Sequence, residues 1–172
     1  MIGIISSSLK SFIIMDKIRK KYNSIDIYVY NNDLNIEDKV YNLVNIGCKI
    51  IIVDSINKNK WDYSNVFFID VSEVQIDIDN PYSFCENDII KWIEQGNQKM
   101  IVDYLSSIKI DDNKTIILKD IRMIFIKNEI LKFFNNKIVD SLDGMMMKID
   151  EYIKINQINC INNGISRYLI DE

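Results

Sequence analysis

Two stretches near the start of the chain, residues 1–5 (MIGII) and 49–53 (KIIIV), are apolar without the alternation of a half-exposed strand. Strands buried on both faces read this way, and such strands belong to parallel sheets covered by helices. Between them, residues 8–20 carry Leu9, Phe12, Ile13 and Ile18 at helical spacing with a basic outer face, which predicts a first helix. Residues 25–30 alternate and predict a strand. Asn35 has the chemistry of an N-cap, with Glu37 and Asp38 in the first turn where the helix dipole favours them. Ile36, Val40, Leu43 and Val44 give that helix its buried stripe, and Gly47 is its expected stop. Residues 48–53 and 66–71 then predict two more strands. Only about a dozen residues join them, close to the minimum for a parallel crossover, so the connecting helix is expected to be very short or distorted.

Residues 74–81 are polar and acidic and hold the only proline, Pro81, as a link between two lobes would. Helical stripes follow at 87–95, closed by Gly96, and at 98–108. A strand is predicted at 115–118, a helix near 122–134 and a short strand at 137–139. Ser141 is the expected cap of a helix patterned by Leu142, Met145, Met146, Ile149, Tyr152 and Ile153. The tail from Asn159 to Glu172 has room for one short strand and a terminal turn of helix. The predicted class is α/β, with a small parallel sheet in the first part and a reduced second lobe.

Composition narrows the function. The net charge is −4 and no basic stripe carries interleaved aromatics, so nucleic acid is not an expected partner. No cationic segment precedes a long apolar one and no apolar run approaches a membrane span, which predicts a cytoplasmic protein with no membrane partner. Three cysteines, Cys48, Cys85 and Cys160, lack CxxC spacing and fit a reducing compartment. Cys85 and Cys160 read as buried or incidental thiols, and Met145 to Met147 as core. Histidine is absent, which removes the commonest general base, triad partner and metal ligand together. The acids Asp77, Asp79, Asp111 and Asp112 lack EF-hand spacing, and neither metal nor cofactor is expected.

In an open α/β sheet, ligands bind beyond the carboxyl ends of the strands. Here those ends carry Ser6, Ser7 and Ser8 after the first strand and Asp54, Ser55, Ile56 and Asn57 after the third. The serines lead into a helix, where hydroxyls and backbone N–H groups suit a carboxylate or phosphate. The plainer reading makes one of them an N-cap. Asn57 suits a ligand amide or carboxylate, or simply a turn.

Four segments carry a resemblance to a known family. Ile2-Gly3-Ile4-Ile5-Ser6-Ser7-Ser8 looks like the opening strand of the aspartate/glutamate racemase family, and Gly47 through Asn57 looks like its third. Thr115 through Arg122 and Lys137 through Ser141 are similar to two later strands, in matching order and rough spacing. The glutamate racemase branch is resembled most closely. The resemblance implies two Rossmann-like lobes with parallel sheets, the second reduced: residues 1–73, residues 74–140, and a C-terminal segment 141–172 packing back on the first lobe. It also implies cofactor-free inversion of an amino-acid α-carbon by two thiols, with an amino acid or small carboxylate as ligand and a homodimer as an expected assembly.

The departures fall on the chemistry. By the resemblance, the two thiols would stand at Ser55 and Asp120, the assisting aspartate at Ser6 and the histidine at Arg122. Ser7 matches the family's substrate-contacting serine, and the proline-tyrosine-glycine loop after the second strand is missing. A hydroxyl needs an activating neighbour to serve as a base, and an ordinary carboxylate with a pKa of about 3.9 is a weak base towards carbon acids. Asp54 or Lys58 could assist Ser55. Three readings follow. The chain is a catalytically inactive relative that binds an amino acid or small carboxylate through Ser7, Ser8, Ser55 and Asn57, or binds a protein partner. Alternatively, it is a divergent isomerase using Ser55 and Asp120. In the third, it is a structural interaction protein with a collapsed cleft.

Overall fold

The computed structural model describes residues 1–32, 35–54, 61–71, 78–158 and 160–169. It is an α/β protein with two parallel sheets and, among the described residues, six α-helices. The chain divides into two compact units, one made of Met1–Val74 with Gly144–Glu172 and the other of Gln75–Asp143.

In the first unit, β1 (Ile2–Ile5), β2 (Ile27–Tyr30), β3 (Ile50–Val53), β4 (Phe67–Asp70) and β8 (Ser166–Tyr168) form a sheet ordered β4-β3-β1-β2-β8. Every residue of β1 and β3 is buried, as their unbroken apolar runs require. Helix α1 (Ser8–Lys21) buries Ser11, Ile13, Ile14 and Ile18, whereas Leu9 and Phe12 of the expected stripe are exposed. On the inward face, the Ser11 hydroxyl donates to the Ser6 carbonyl oxygen at 2.9 Å. Helix α2 (Ile36–Ile46) ends at Gly47, whose N–H bonds the Leu43 and Val44 carbonyls. Its N-cap position is Asn35, but the residue is left-handed (φ 58°) and its side chain makes no capping bond. The expected buried stripe gains a member the pattern hid: Lys39 is fully buried. Residues 55–60, where the distorted crossover was expected, lie outside the described residues, as do residues 72–77 of the expected link.

The second unit holds β5 (Pro81–Ser83), β6 (Thr115–Leu118) and β7 (Ile138–Asp140) in the order β5-β6-β7, all parallel. Pro81, expected in the link, opens β5 instead. An edge strand tolerates a residue that cannot donate to the ladder, and three residues are too few to register as a strand in sequence. Helices α3 (Glu86–Glu94), α4 (Gln98–Ser107) and α5 (Lys127–Phe133), with a 3-10 helix at Ile121–Ile126, surround the sheet. Phe84, Ile89, Ile101, Leu105, Ile116 and Ile130 are among the residues of their common core. Helix α6 (Ser141–Ile155) follows β7 directly. Its cap is Asp140 rather than Ser141, because Asp140 Oδ1 accepts the Asp143 N–H at 2.9 Å. Ser141 is the first helical residue, and its buried hydroxyl has no hydrogen-bond partner among the described residues. Of the methionine run, Met145 and Met146 are core and Met147 is exposed.

Candidate functional site

Parallel register brings the ends of β1, β2 and β3 level. Ile5 lies beside Tyr30 on one side and Val53 on the other, so Ser6, Asn31 and Asp54 share one edge. Ser6 is fully buried, and its hydroxyl donates to Asp54 Oδ2 at 3.3 Å. The same oxygen accepts Lys10 Nζ at 2.8 Å, from the first turn of α1. Asn32 Nδ2 bonds the Asp54 carbonyl oxygen at 3.3 Å. One layer away, the buried Lys39 donates to the Asn31 carbonyl oxygen at 2.8 Å, with its ammonium 6.0 Å from the centre of the Tyr30 ring. The strand ends therefore form a connected polar layer of Ser6, Asp54, Lys10, Asn31, Asn32 and Lys39.

Ser7 is the N-cap residue of α1, in extended conformation, with a hydroxyl that makes no capping bond; its carbonyl accepts the Ser11 N–H at 2.8 Å. Ser8 begins the helix and is exposed. No acidic residue occupies the first turn, so the positive end of the helix dipole is uncancelled by its own side chains. Ser55 and Asn57 lie outside the described residues.

At the end of β6 in the second unit, Asp120 accepts three bonds from one arginine. Oδ1 takes the Arg122 backbone N–H at 2.8 Å and Nε at 2.9 Å, and Oδ2 takes Nη2 at 2.7 Å. Arg122 Nη1 also pairs with Glu94. The Asp120 hydrogen bond, aided by the charges of Asp120 and Glu94, holds the guanidinium protonated against partial burial. Asp120 is also the N-cap of the 3-10 helix. Beside it stands Glu86, at the start of α3. Burial pushes the Glu86 carboxyl above its ordinary range, the Asp120 charge adds to this and Lys119 offsets it. Its Oε1 is buried with no partner among the described residues. Asp140, the last residue of β7, accepts Lys127 Nζ at 2.7 Å.

Two of the three thiols are held against ionisation. Burial pushes Cys48 up to about 12 and raises Cys160, both against the nucleophilic thiolate. Cys85 is exposed, with Sγ 3.5 Å from Asp88 Oδ2. Among the described residues, no three His, Cys, Asp or Glu side chains converge as a metal site, and no helix is long and apolar enough to cross a membrane.

Solved structures carry the same architecture. Glutamate racemase from Thermus thermophilus, in complex with β-chloro-D-alanine, superimposes with a TM-score of 0.69 at 12% identity, covering 98% of this chain and 85% of that one. The fold is that of glutamate racemases. The enzyme from Francisella tularensis, in complex with D-glutamate, gives 0.64 at 16% identity over 97% of this chain and 86% of that one. The Campylobacter jejuni enzyme gives 0.65 at 11% identity over 99% and 92%. No family model and no curated protein matches the sequence.

On this racemase-like fold, Ser6, Ser7 and Ser8 stand together at one strand end, while Asp120 and Arg122 form a closed ion pair in the other unit. Lys10, Lys39 and Glu86 were not singled out in the sequence. Lys10 lies one turn beyond Ser6, a spacing that could have flagged it. Nothing local distinguishes Lys39 or Glu86 from a solvated charge.

Proposed function

We propose that this protein is a racemase-fold binder of an amino acid or small carboxylate that does not invert its ligand. The observation that carries this reading is the bonding of Asp120. A base must offer a free lone pair to the α-proton, and three of the roughly four lone-pair positions of Asp120 already accept from Arg122. Protonating Asp120 would also strip Arg122 of the counter-charge that bonds its Nε and Nη2. Ser6 supports the same reading, since its hydroxyl donates to a carboxylate already neutralised by Lys10.

Binding chemistry remains at the first strand edge. The uncapped Ser7 hydroxyl, the Ser8 N–H and the start of α1 suit a ligand carboxylate. Asp54 offers the opposite charge nearby for a ligand ammonium, in competition with Lys10. Ser55 and Asn57 are assigned to the same ligand from the sequence.

The competing reading, a divergent isomerase using Ser55 and Asp120, draws support from Glu86. A half-buried carboxyl whose pKa is raised by burial, beside Asp120, is the kind of group found at proton-transfer sites. Solvent-deuterium exchange at the α-carbon of D- and L-glutamate and D- and L-aspartate, followed by NMR, separates the two. Binding without inversion predicts no incorporation above a protein-free control, together with a ligand-dependent rise in Tm. Incorporation abolished by Asp120→Asn or Ser55→Ala would overturn it in favour of the isomerase.

A further inference from the structure

Lys10 bears on which charges the first strand edge can accept. It is the third residue of α1, and its ammonium lies 2.8 Å from Asp54 Oδ2, with the two side chains only 20% and 12% exposed. The Ser6 hydroxyl donates to the same oxygen at 3.3 Å. The backbone of Asp54 is fixed as well. Its N–H donates to the Ile5 carbonyl oxygen at 3.1 Å, and its own carbonyl accepts Asn32 Nδ2 at 3.3 Å. The carboxylate is therefore held in place at the end of β3 with a cation already beside it.

This edge treats the two charges of an amino acid unequally. A ligand carboxylate meets the start of α1, where no acidic side chain offsets the helix dipole and the Ser7 hydroxyl makes no capping bond. A ligand ammonium meets Asp54, whose single negative charge Lys10 balances at contact distance. Oδ1 accepts from neither Ser6 nor Lys10 and can take a donor, but a second cation there stands next to the first. Both side chains are mostly buried, so like charges at that spot repel more strongly than they would in water. The other route is to displace Lys10. That breaks a pair tethered within one chain in favour of a free ligand, which loses its translational freedom on binding. Either route weakens binding, and neither applies to a ligand without an amino group.

We infer that Lys10 is a specificity-determining residue, which makes this site select small carboxylates lacking an amino group over amino acids of the same skeleton. The inference rests on the carboxylate-binding reading above and narrows it. Of the two ligand classes named there, the ion pair favours the second.

Glutarate differs from glutamate, and succinate from aspartate, only by the amino group. Affinities for these compounds follow from the rise of Tm with ligand concentration. The native chain is expected to bind glutarate and succinate about tenfold more tightly than either enantiomer of the matching amino acid. Lys10→Arg keeps the cation and should keep the preference. Lys10→Met frees the charge of Asp54 and should tighten amino-acid binding until the preference is gone, and the Tm of each variant without ligand reports that it is folded. Amino acids bound as tightly as their deaminated counterparts would overturn the inference and leave carboxylate binding standing. A preference that survives Lys10→Met would also overturn it, because its source would then lie elsewhere. No rise in Tm with any of these compounds would overturn the carboxylate-binding reading itself, and this inference with it.

Discussion

At the carboxyl edge of the five-stranded sheet, Asp54 is bonded by Ser6 and Lys10, and Asn32 and Lys39 take the nearby carbonyls. At the carboxyl edge of the three-stranded sheet, Asp120 is closed onto Arg122, but Glu86 Oε1 and Ser141 Oγ are buried without partners among the described residues. The strands differ in the same sense: β1 and β3 are wholly buried, whereas β5, β6 and β7 keep exposed or half-exposed positions. A deep sheet can bring polar groups from several elements onto each strand end, because helices cover both its faces. The small sheet has fewer neighbours to draw on. It settles its aspartate with an arginine two residues away and leaves other oxygens unpaired.

The largest test of this contrast is in the strands. Ile51→Ala, at a fully buried position of β3, is expected to lower the unfolding free energy by about 2–5 kcal/mol. Ile117→Ala, half-buried on β6, should cost about half as much in the same urea titration. Similar losses would mean the smaller core is as tightly packed as the larger.

The two ion pairs come next. Arg122→Met takes from Asp120 the two bonds of the guanidinium and should cost about 2 kcal/mol. Lys10→Met leaves Asp54 with the Ser6 hydroxyl and should cost about 1 kcal/mol or less. The reverse order, read from urea midpoints, would break the comparison.

Glu86→Gln sharpens it at lower amplitude. Burial raises the folded-state pKa of Glu86 above its unfolded value. Stability is then fully present below the unfolded pKa and is lost as pH rises through the folded one. At neutral pH the uncharged Glu86→Gln variant should have the higher urea midpoint, and the gain should vanish below about pH 4. A variant no more stable at neutral pH would show that Glu86 ionises there without penalty.

The smallest effect belongs to Cys48 in the first unit. Its thiol is raised by burial from 9.0 to about 12, so its contribution is complete below pH 9 and is lost as pH climbs towards 12. Cys48→Val should flatten that alkaline loss and change little at pH 7. In the native chain at pH 8, a thiol reagent should modify the exposed Cys85 far faster than Cys48.

Much of the architecture was legible because burial on both faces leaves short unbroken apolar runs, and their length and β-branched content mark them as strands. Ile2–Ile5 and Ile50–Val53 are unbroken apolar runs, and both are interior strands. Gly47 stops α2 as its position suggested. The misreadings share a cause. Leu9 and Phe12 are as apolar as Ile14, yet α1 turns Ile14 inward, with Ser11 beside it bonded to the Ser6 carbonyl, and local pattern does not choose between such overlapping faces. The cap of α6 moved by one residue, from Ser141 to Asp140, since either side chain could have filled the role. β5 was too short to read.

The sequence by itself determined the α/β class, the parallel strands and the serines and aspartates that stand at their ends. Hydrophobic periodicity is local, so its meaning survives without coordinates. Only the tertiary structure decided what those groups are bonded to. Asp54 meets Ser6 across 48 positions of sequence, Lys39 is buried against a carbonyl on another element, and Glu86 loses its water to the helices around it. Charge pairing and desolvation depend on distances between elements, and those distances exist only once the chain has packed.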